Sequence, residues 1–264
     1  MEPDDYFSDE DFEVLSRRVR HEDDRKIFAQ VFDSKTLDAI QSLANKGLFE
    51  VVEHVISTGK EAHVFIATDV AGKKRAVKIF MGQTTLFKKM NNYIVGDRRF
   101  KNLRKDRRNL VVAWTRKEYK NLMLANSAGL PVPLPLGVKE NVLVMEFLGE
   151  GENAALRLKD IEPTLEELED YREQIIDFMA RLYLAGLVHA DLSEYNILVL
   201  EGKLYVIDFG QGLLLTHPKA KEFFGRDVFN MANYFSKNGL ETEYEEMYAK
   251  VKARKEALDK KPKK

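Results

Sequence analysis

Apolar and polar positions follow two different rhythms along this chain. Between residues 51 and 80 the apolar residues come in short β-branched and aromatic runs broken by turn residues. Val51–Ile56 reads as a strand and Ser57-Thr58-Gly59-Lys60-Glu61-Ala62 as a tight turn. His63–Thr68 is the return strand, Ala71-Gly72 a second turn, and Arg75–Phe80 a third strand. Val142–Phe147 repeats the pattern as a fourth. Pro131, Pro133 and Pro135 hold an extended connector before it. From about residue 164 the period becomes helical. Leu168, Ile175, Ile176, Phe178, Met179 and Leu182 share a face of a helix over Thr164–Ala185, with Pro163 before it and Gly186 after it. Further helices are predicted from Asp33 or Ser34 to Asn45, stopped by Gly47, and over Arg116–Ser127 from a Thr115 cap to Gly129. Two more cover about Pro218–Lys237 and Thr242–Leu258. Ile197–Leu200 and Lys203–Ile207 form a hairpin turning at Glu201-Gly202. The fold class is α+β: an antiparallel β-rich half containing one helix, a connector, then a mainly helical half.

The chain has 264 residues, 44% of them hydrophobic, which is enough to bury a core and excludes a wholly disordered chain. It has no cysteine, so disulfides, thiolate catalysis and cysteine-based zinc sites are excluded. No apolar run reaches the roughly 18 residues of a membrane span. The acidic start is not followed by a signal-peptide core, so the expected location is cytoplasmic, with no membrane partner. The net charge of −1 is unevenly spread. Between Asp97 and Arg108, seven cations (Arg98, Arg99, Lys101, Arg104, Lys105, Arg107 and Arg108) face two anions. The stretch Lys250–Lys264 is basic as well, and the first residues are acidic. Such patches dock RNA or a charged partner, or serve only as solvated surface.

The sharpest chemistry lies in His189-Ala190-Asp191-Leu192-Ser193-Glu194-Tyr195-Asn196, between the long helix and the hairpin. Twelve residues after Asn196 stands Asp208, in Ile207-Asp208-Phe209-Gly210. Together they match the H-x-D-x-x-x-x-N and D-F-G pair of eukaryotic-type kinases. In that pattern one aspartate reaches the attacking oxygen, while the asparagine and the second aspartate supply hard oxygen ligands to magnesium. Lys78, in Arg75-Ala76-Val77-Lys78-Ile79, matches the V-A-I-K strand. A cation among apolar neighbours needs phosphate and a carboxylate. Glu118 shares a helical face with Leu122 and Ala125 and is the candidate carboxylate, with Glu61 as the other nearby acid. The turn Ser57-Thr58-Gly59-Lys60-Glu61-Ala62 keeps one glycine of a G-x-G-x-x-G loop. It is not a Walker A loop, because His54 stands where that pattern needs glycine. Its hydroxyls and backbone can still donate to phosphates, although a plain turn would look the same. Met145-Glu146-Phe147-Leu148 ends the fourth strand, where backbone groups of Glu146 and Leu148 can meet an adenine edge. Only 54 residues follow Gly210, no A-P-E triplet occurs, and no long activation segment fits before the helix near Pro218. A peptide-cradling platform is therefore expected to be missing. Asp227 either accepts hydrogen bonds from the Asp191 loop backbone or pairs at the surface with Arg226 or Lys221.

With these residues assembled, the chain resembles the RIO family of atypical serine protein kinases, type-1 branch, at the size of an archaeal member. The Ser57–Ala62 turn, the run Leu187–Asn196 and Ile207-Asp208-Phe209-Gly210-Gln211 carry the resemblance over about residues 25–250. It implies a trimmed bilobal kinase fold with N-terminal helices, ATP, magnesium (manganese as alternative), autophosphorylation on serine, ATPase activity with Asp208 taking phosphate, and a role in maturing the small ribosomal subunit. By motif match Asp191 is the catalytic aspartate, Asn196 and Asp208 are the metal ligands, and Lys78 with Ser57, Thr58, Gly59, Lys60, Glu61, Glu118, Glu146 and Leu148 binds the nucleotide. The stretch Gly82–Arg108 holds Thr84 and Thr85 but no serine, so no serine site is placed there. The expected organisation is an acidic arm at 1–22, a helical extension at 23–48, an N-lobe at 49–145 with a basic mobile loop at 82–108, a hinge at 146–149, a C-lobe at 150–258 and a basic tail at 259–264. The partners implied are ATP and the pre-ribosomal small-subunit particle, with RNA meeting the basic loop at 97–108. Two other readings remain: a small-molecule phosphotransferase of the aminoglycoside or choline kinase type, and an ATP-gated assembly scaffold with incidental turnover.

Overall fold

The computed structural model describes residues 13, 17–19, 33–82, 93–94, 96–100 and 106–260. Most of the acidic arm, residues 23–32 of the helical extension, Thr84, Thr85, Lys101, Arg104, Lys105 and the last four residues of the basic tail lie outside the described residues. The chain forms two compact units. The first comprises Met1–Lys89, Asn102–Tyr119 and Leu134–Ala154, the second Met90–Lys101, Lys120–Pro133 and Ala155–Lys264.

In the first unit, helix α1 (Ser34–Asn45) starts where Asp33 accepts the Thr36 N–H at 2.8 Å, as its cap position predicts. Strands β1 (Val51–Thr58), β2 (Ala62–Thr68) and β3 (Lys74–Phe80) form an antiparallel meander. Two more strands, β4 (Pro135–Lys139) and β5 (Val142–Glu146), complete a five-stranded sheet of order β1-β2-β3-β5-β4. The sequence predicts only extended chain around Pro135. The structure makes it the first residue of an edge strand, where a missing N–H removes no ladder bond. Leu37, Ile40, Leu43 and Ala44 of α1 bury against Val52, Phe65, Val77, Ile79, Val142 and Val144 of the sheet. The expected loose arm needs a correction at residues 17–19. Val19 is buried and bridges in parallel to Val52, and Arg18 bonds Gln41, Asn45 and the Glu50 carbonyl at 3.0–3.1 Å.

Helix α2 (Arg107–Ser127) begins nine residues before its expected start at Arg116. Asp106 accepts from the Asn109 N–H at 2.9 Å, and buried Thr115 bonds the Val111 carbonyl one turn back rather than capping. The prediction failed because Arg107 and Arg108 read as part of a charged loop. Arg108 in fact pairs with Asp33 and Glu140.

The second unit is built on α3 (Leu165–Leu184). Thr164 and Glu167 form a reciprocal capping box, and the predicted apolar face is buried. After it come β6 (Leu187–Val188), the hairpin β7 (Ile197–Leu200) with β8 (Lys203–Val206), and β9 (Leu213–Leu214), which pairs with β6. Helices α4 (Ala220–Lys237) and α5 (Tyr244–Asp259) follow. Among the described residues no helix is long and apolar enough to cross a membrane.

Candidate functional site

In the first unit, Lys78 lies on the central strand β3, opposite Val64 and Leu143. Its ammonium donates to both Glu118 carboxylate oxygens, at 2.9 and 3.0 Å, so Glu118, the candidate carboxylate, is a partner. Lys78 is 7% exposed and Glu118 1%. Both charges are therefore out of water, and each depends on the other. The Phe80 ring lies 4.9 Å from the ammonium. The Ser57–Ala62 turn closes with the Gly59 N–H on the Ala62 carbonyl at 3.0 Å, and the Glu61 carbonyl accepts from the Met81 N–H at 2.9 Å. A side chain at Gly59 would meet that Ala62 carbonyl at 3.2 Å. Ser57 and Thr58 end β1, and Lys60 is exposed. Glu146 ends β5, with its amide donating to the Leu134 carbonyl at 2.8 Å and its carboxylate accepting the Leu134 N–H at 3.2 Å. Leu148 is buried.

The second unit brings the two loop motifs together. The His189 Nε2–H donates to the Ile207 carbonyl at 3.0 Å, and its ring stands edge-on to Phe209 at 4.7 Å. Asp191 Oδ2 accepts from Gln211 at 2.7 Å. Asn196 Nδ2 donates to the Asp191 carbonyl at 2.9 Å and to its Oδ2 at 3.3 Å. That orientation turns the Asn196 Oδ1 to the opposite edge of its amide. Asp208 sits in the left-handed region, with φ +64°, and opens the short turn Phe209–Gln211. Such a backbone in a non-glycine residue is held by its surroundings and concentrates at functional turns.

Ala190 is also left-handed, with φ +65°. Asp227, on α4, accepts the Ala190 N–H at 2.7 Å and the Leu192 N–H at 3.0 Å. Arg226 donates to the Ala190 carbonyl and Asn230 to the Leu192 carbonyl. Of its two readings, Asp227 therefore takes the buried, loop-supporting one. Burial pushes its carboxyl up to about 7, against the two N–H bonds and Arg226, which pull it down.

Among the described residues no cluster of three or more histidines and acids forms a metal cage. The Asn196 amide oxygen and the Asp208 carboxylate are hard oxygen donors within this loop set. Magnesium fits that set, since it keeps several waters and takes few protein ligands beside phosphate oxygens. Three supporting residues were not assigned from sequence: Gln211, Arg226 and Asn121. Asn121 is fully buried and donates to the Phe209 and Gly212 carbonyls at 2.8 and 3.0 Å. The available signal was a polar residue three positions after Glu118 on an inward helical face. The basic patch also needs revision. Arg99 is tied to Asp97 and Asn121, and Arg108 to Asp33 and Glu140, so neither presents a simple cation to RNA.

Comparison with known proteins adds family information to this geometry. A family model, the RIO domain, matches residues 63–248. The RIO-type serine/threonine-protein kinase Rio1 of Haloferax volcanii is 41% identical over 240 residues, covering 91% of this chain and 82% of its own. Rio1 of Thermoplasma acidophilum is 44% identical over 184 residues, covering 69% of this chain and 96% of its own. The human serine/threonine-protein kinase RIO1 is 34% identical, with 84% of this chain matching 40% of the human one. Among solved structures, the Rio2 kinase–ADP/Mg2+–phosphoaspartate complex from Chaetomium thermophilum has a TM-score of 0.65 at 21% identity, covering 87% of this chain and 72% of that one. The fold is thus α+β, as the patterning predicts, and protein-kinase-like, as the family resemblance implies.

Proposed function

The chain belongs to the RIO family of serine/threonine protein kinases, and from that premise we propose that it moves the γ-phosphoryl group of ATP, with magnesium, onto serine hydroxyls of protein, including its own, and onto water. One observation carries the reading. A single hydrogen-bonded loop set gathers Asp191, Asn196 and the Asp208 turn, and Asp227 and His189 brace it.

The roles follow from the chemistry of each group. Asp191, aimed by Gln211 and Asn196, accepts the proton of the attacking hydroxyl or water. Asn196 and Asp208 would hold magnesium, or manganese in its place. A bound ion would supply positive charge to offset the charge that develops on the phosphoryl group in transfer. Lys78 brings a point cation to the phosphates, and Glu118 fixes where that cation stands. Ser57, Thr58, Gly59, Lys60 and Glu61 form a turn whose donors suit phosphate oxygens. Backbone groups at Glu146 and Leu148 would recognise adenine at a hinge over 146–149, with lobes at 49–145 and 150–258. The Rio2 relative was solved with ADP, Mg2+ and a phosphoaspartate. By motif match Asp208 is the residue that would carry such a phosphate here.

The same family resemblance supports a cytoplasmic role in maturing the small ribosomal subunit, whose RNA would meet the basic residues of 97–108 other than Arg99 and Arg108. Affinity for structured RNA should then fall steeply between low and moderate salt. Salt-independent affinity would contradict that contact. The test of the chemistry is steady-state turnover of ATP with Mg2+ by wild type, Asp191→Ala and Asp208→Ala. General-base loss alone is worth about 10²–10⁴-fold, so both variants should fall at least about 100-fold. Wild-type turnover in either would refute its role. Tight ATP binding without turnover in the wild type would favour the scaffold reading.

A further inference from the structure

We propose that Asn121 and Arg99 are positioning residues that set the Asp208 turn for its metal, an inference that rests on the reading of Asp208 as a metal ligand. The two hydrogens of Asn121 Nδ2 go to two carbonyls that bracket the turn, Phe209 at 2.8 Å and Gly212 at 3.0 Å. The Phe209 carbonyl also accepts the Gly212 N–H at 3.1 Å, so the side chain and the backbone close the same turn. The approach is tight: a Cβ on Gly212 would lie 2.8 Å from Asn121 Nδ2. The amide works in only one orientation, because a flipped amide would set its oxygen against two carbonyl oxygens.

Arg99 supplies that orientation. Its Nη1 donates to Asn121 Oδ1 at 2.8 Å. Arg99 is itself held as a fork by Asp97, which accepts from Nε at 3.0 and 3.1 Å and from Nη2 at 2.7 Å. The Asp97 N-terminal side closes too, since its Oδ1 accepts the Arg99 N–H at 2.9 Å. The Asp97 side chain is 2% exposed, that of Arg99 19%, and Asn121 is fully buried. A charge-assisted chain therefore runs from Asp97 through Arg99 and Asn121 to the backbone on both sides of the Asp208 turn. Asp208 holds a left-handed backbone that its own side chain does not cap. Geometry imposed from outside is what such a residue needs in order to present its carboxylate in one direction. Residues of a stretch that reads as a basic surface patch thus act inward, on the metal turn.

The experiment is ADP binding by calorimetry, with Mg2+ and with EDTA, for wild type, Asn121→Ala, Arg99→Ala and the double variant. Amide exchange across residues 208–214 is followed in the same metal-free, nucleotide-free proteins. Mg2+ should tighten ADP in the wild type. Asn121→Ala should keep the EDTA affinity and lose about tenfold of the Mg2+ effect, the scale of a lost hydrogen bond to a buried group. Arg99→Ala should shift the same way, and the double variant should be no worse than Asn121→Ala, because Arg99 acts through Asn121. Exchange over the turn should accelerate in all three. A general loss of packing would instead weaken ADP equally with and without metal, which would overturn the proposal. Full wild-type tightening in both single variants, or losses that simply add in the double, would also overturn it. If Asn121→Ala does not fold, the more exposed Arg99→Ala carries the same prediction and the same refutation. A wild type whose ADP affinity ignores Mg2+ would defeat the Asp208 reading itself and the proposal with it.

Discussion

Replacing Glu118 by glutamine keeps its shape and removes its charge, taking from the buried Lys78 ammonium the carboxylate it donates to. The pair sits at 2.9 Å. At about 3 Å and an effective dielectric of about 20, the attraction lost is roughly 5 kcal/mol. Lys78 recovers part of this by shedding its proton or by moving toward water, so the expected cost is about 3–5 kcal/mol. The desolvation that both ions suffer predicts a different result for the pair. Lys78→Met with Glu118→Leu fills similar volume among Val64, Leu143 and Phe80, and should come within about 1 kcal/mol of wild type or exceed it. The chain's single tryptophan, Trp114, is 3% exposed on the part of α2 that belongs to the first unit. Its fluorescence in urea therefore reads the unit that holds the pair. The double variant, lacking the Lys78 cation, should lack turnover, so a stable but inactive protein separates the pair's chemistry from its part in stability. A Glu118→Gln variant within about 1 kcal/mol of wild type, or a double variant destabilised as much as Glu118→Gln, would refute the claim that the two charges depend on each other.

Three further outcomes follow from the structure. Burial raises the Asp33 carboxyl, but the Thr36 hydroxyl and amide and the Arg108 guanidinium outweigh it and hold the group below 3.8. Asp33→Ala should therefore cost about 1 kcal/mol near neutrality, and the difference should fade as pH falls through the acid range; an unchanged difference in acid contradicts it. Asp227 is shifted the other way, from 3.8 to about 7. Its contribution is present in acid and is lost as pH rises through about 7, so the stability gap between wild type and Asp227→Asn should shrink from about pH 4 to about pH 7. A gap that widens over that range would show that the two N–H bonds and Arg226 outweigh burial. Gly212→Ala should cost about 1–3 kcal/mol through its contact with Asn121, and pairing it with Asn121→Ala should recover much of that in a melting experiment.

The elements that sequence patterning located well are those whose signal is local. The α1 cap at Asp33, the Thr164 capping box and the Glu201-Gly202 hairpin turn all depend on a few neighbouring residues. The start of α2 lies inside a run of charge that carries no apolar period, although Asp106 accepts the Asn109 N–H and charged residues are sound helix formers. Strand β4 was missed because its pairing with β5 is a tertiary event, and three prolines pointed to a connector. The motif spacing is legible in one contact: Asn196 donates to Asp191, and Gln211 of the Asp208 turn joins them. Their support was not legible. Gln211, Arg226 and Asn121 reach the loops from 20, 36 and 88 positions away in sequence. No periodicity encodes such a contact. Arg99 shows the converse, since it reads as one cation in a run and the fold turns it inward to Asn121.

The most direct test of the account is transfer of label from [γ-32P]ATP with Mg2+ by the purified chain, with Asp208→Ala as control. Released phosphate and protein-bound label would be followed together, and the bound label challenged with hydroxylamine. The account predicts label and release in the wild type and neither in the variant. Hydroxylamine-stable label would be phosphoserine, and hydroxylamine-sensitive label an acyl phosphate on Asp208. Equal label and release in Asp208→Ala, or none in a wild type that binds ATP tightly, would contradict phosphoryl transfer at this site.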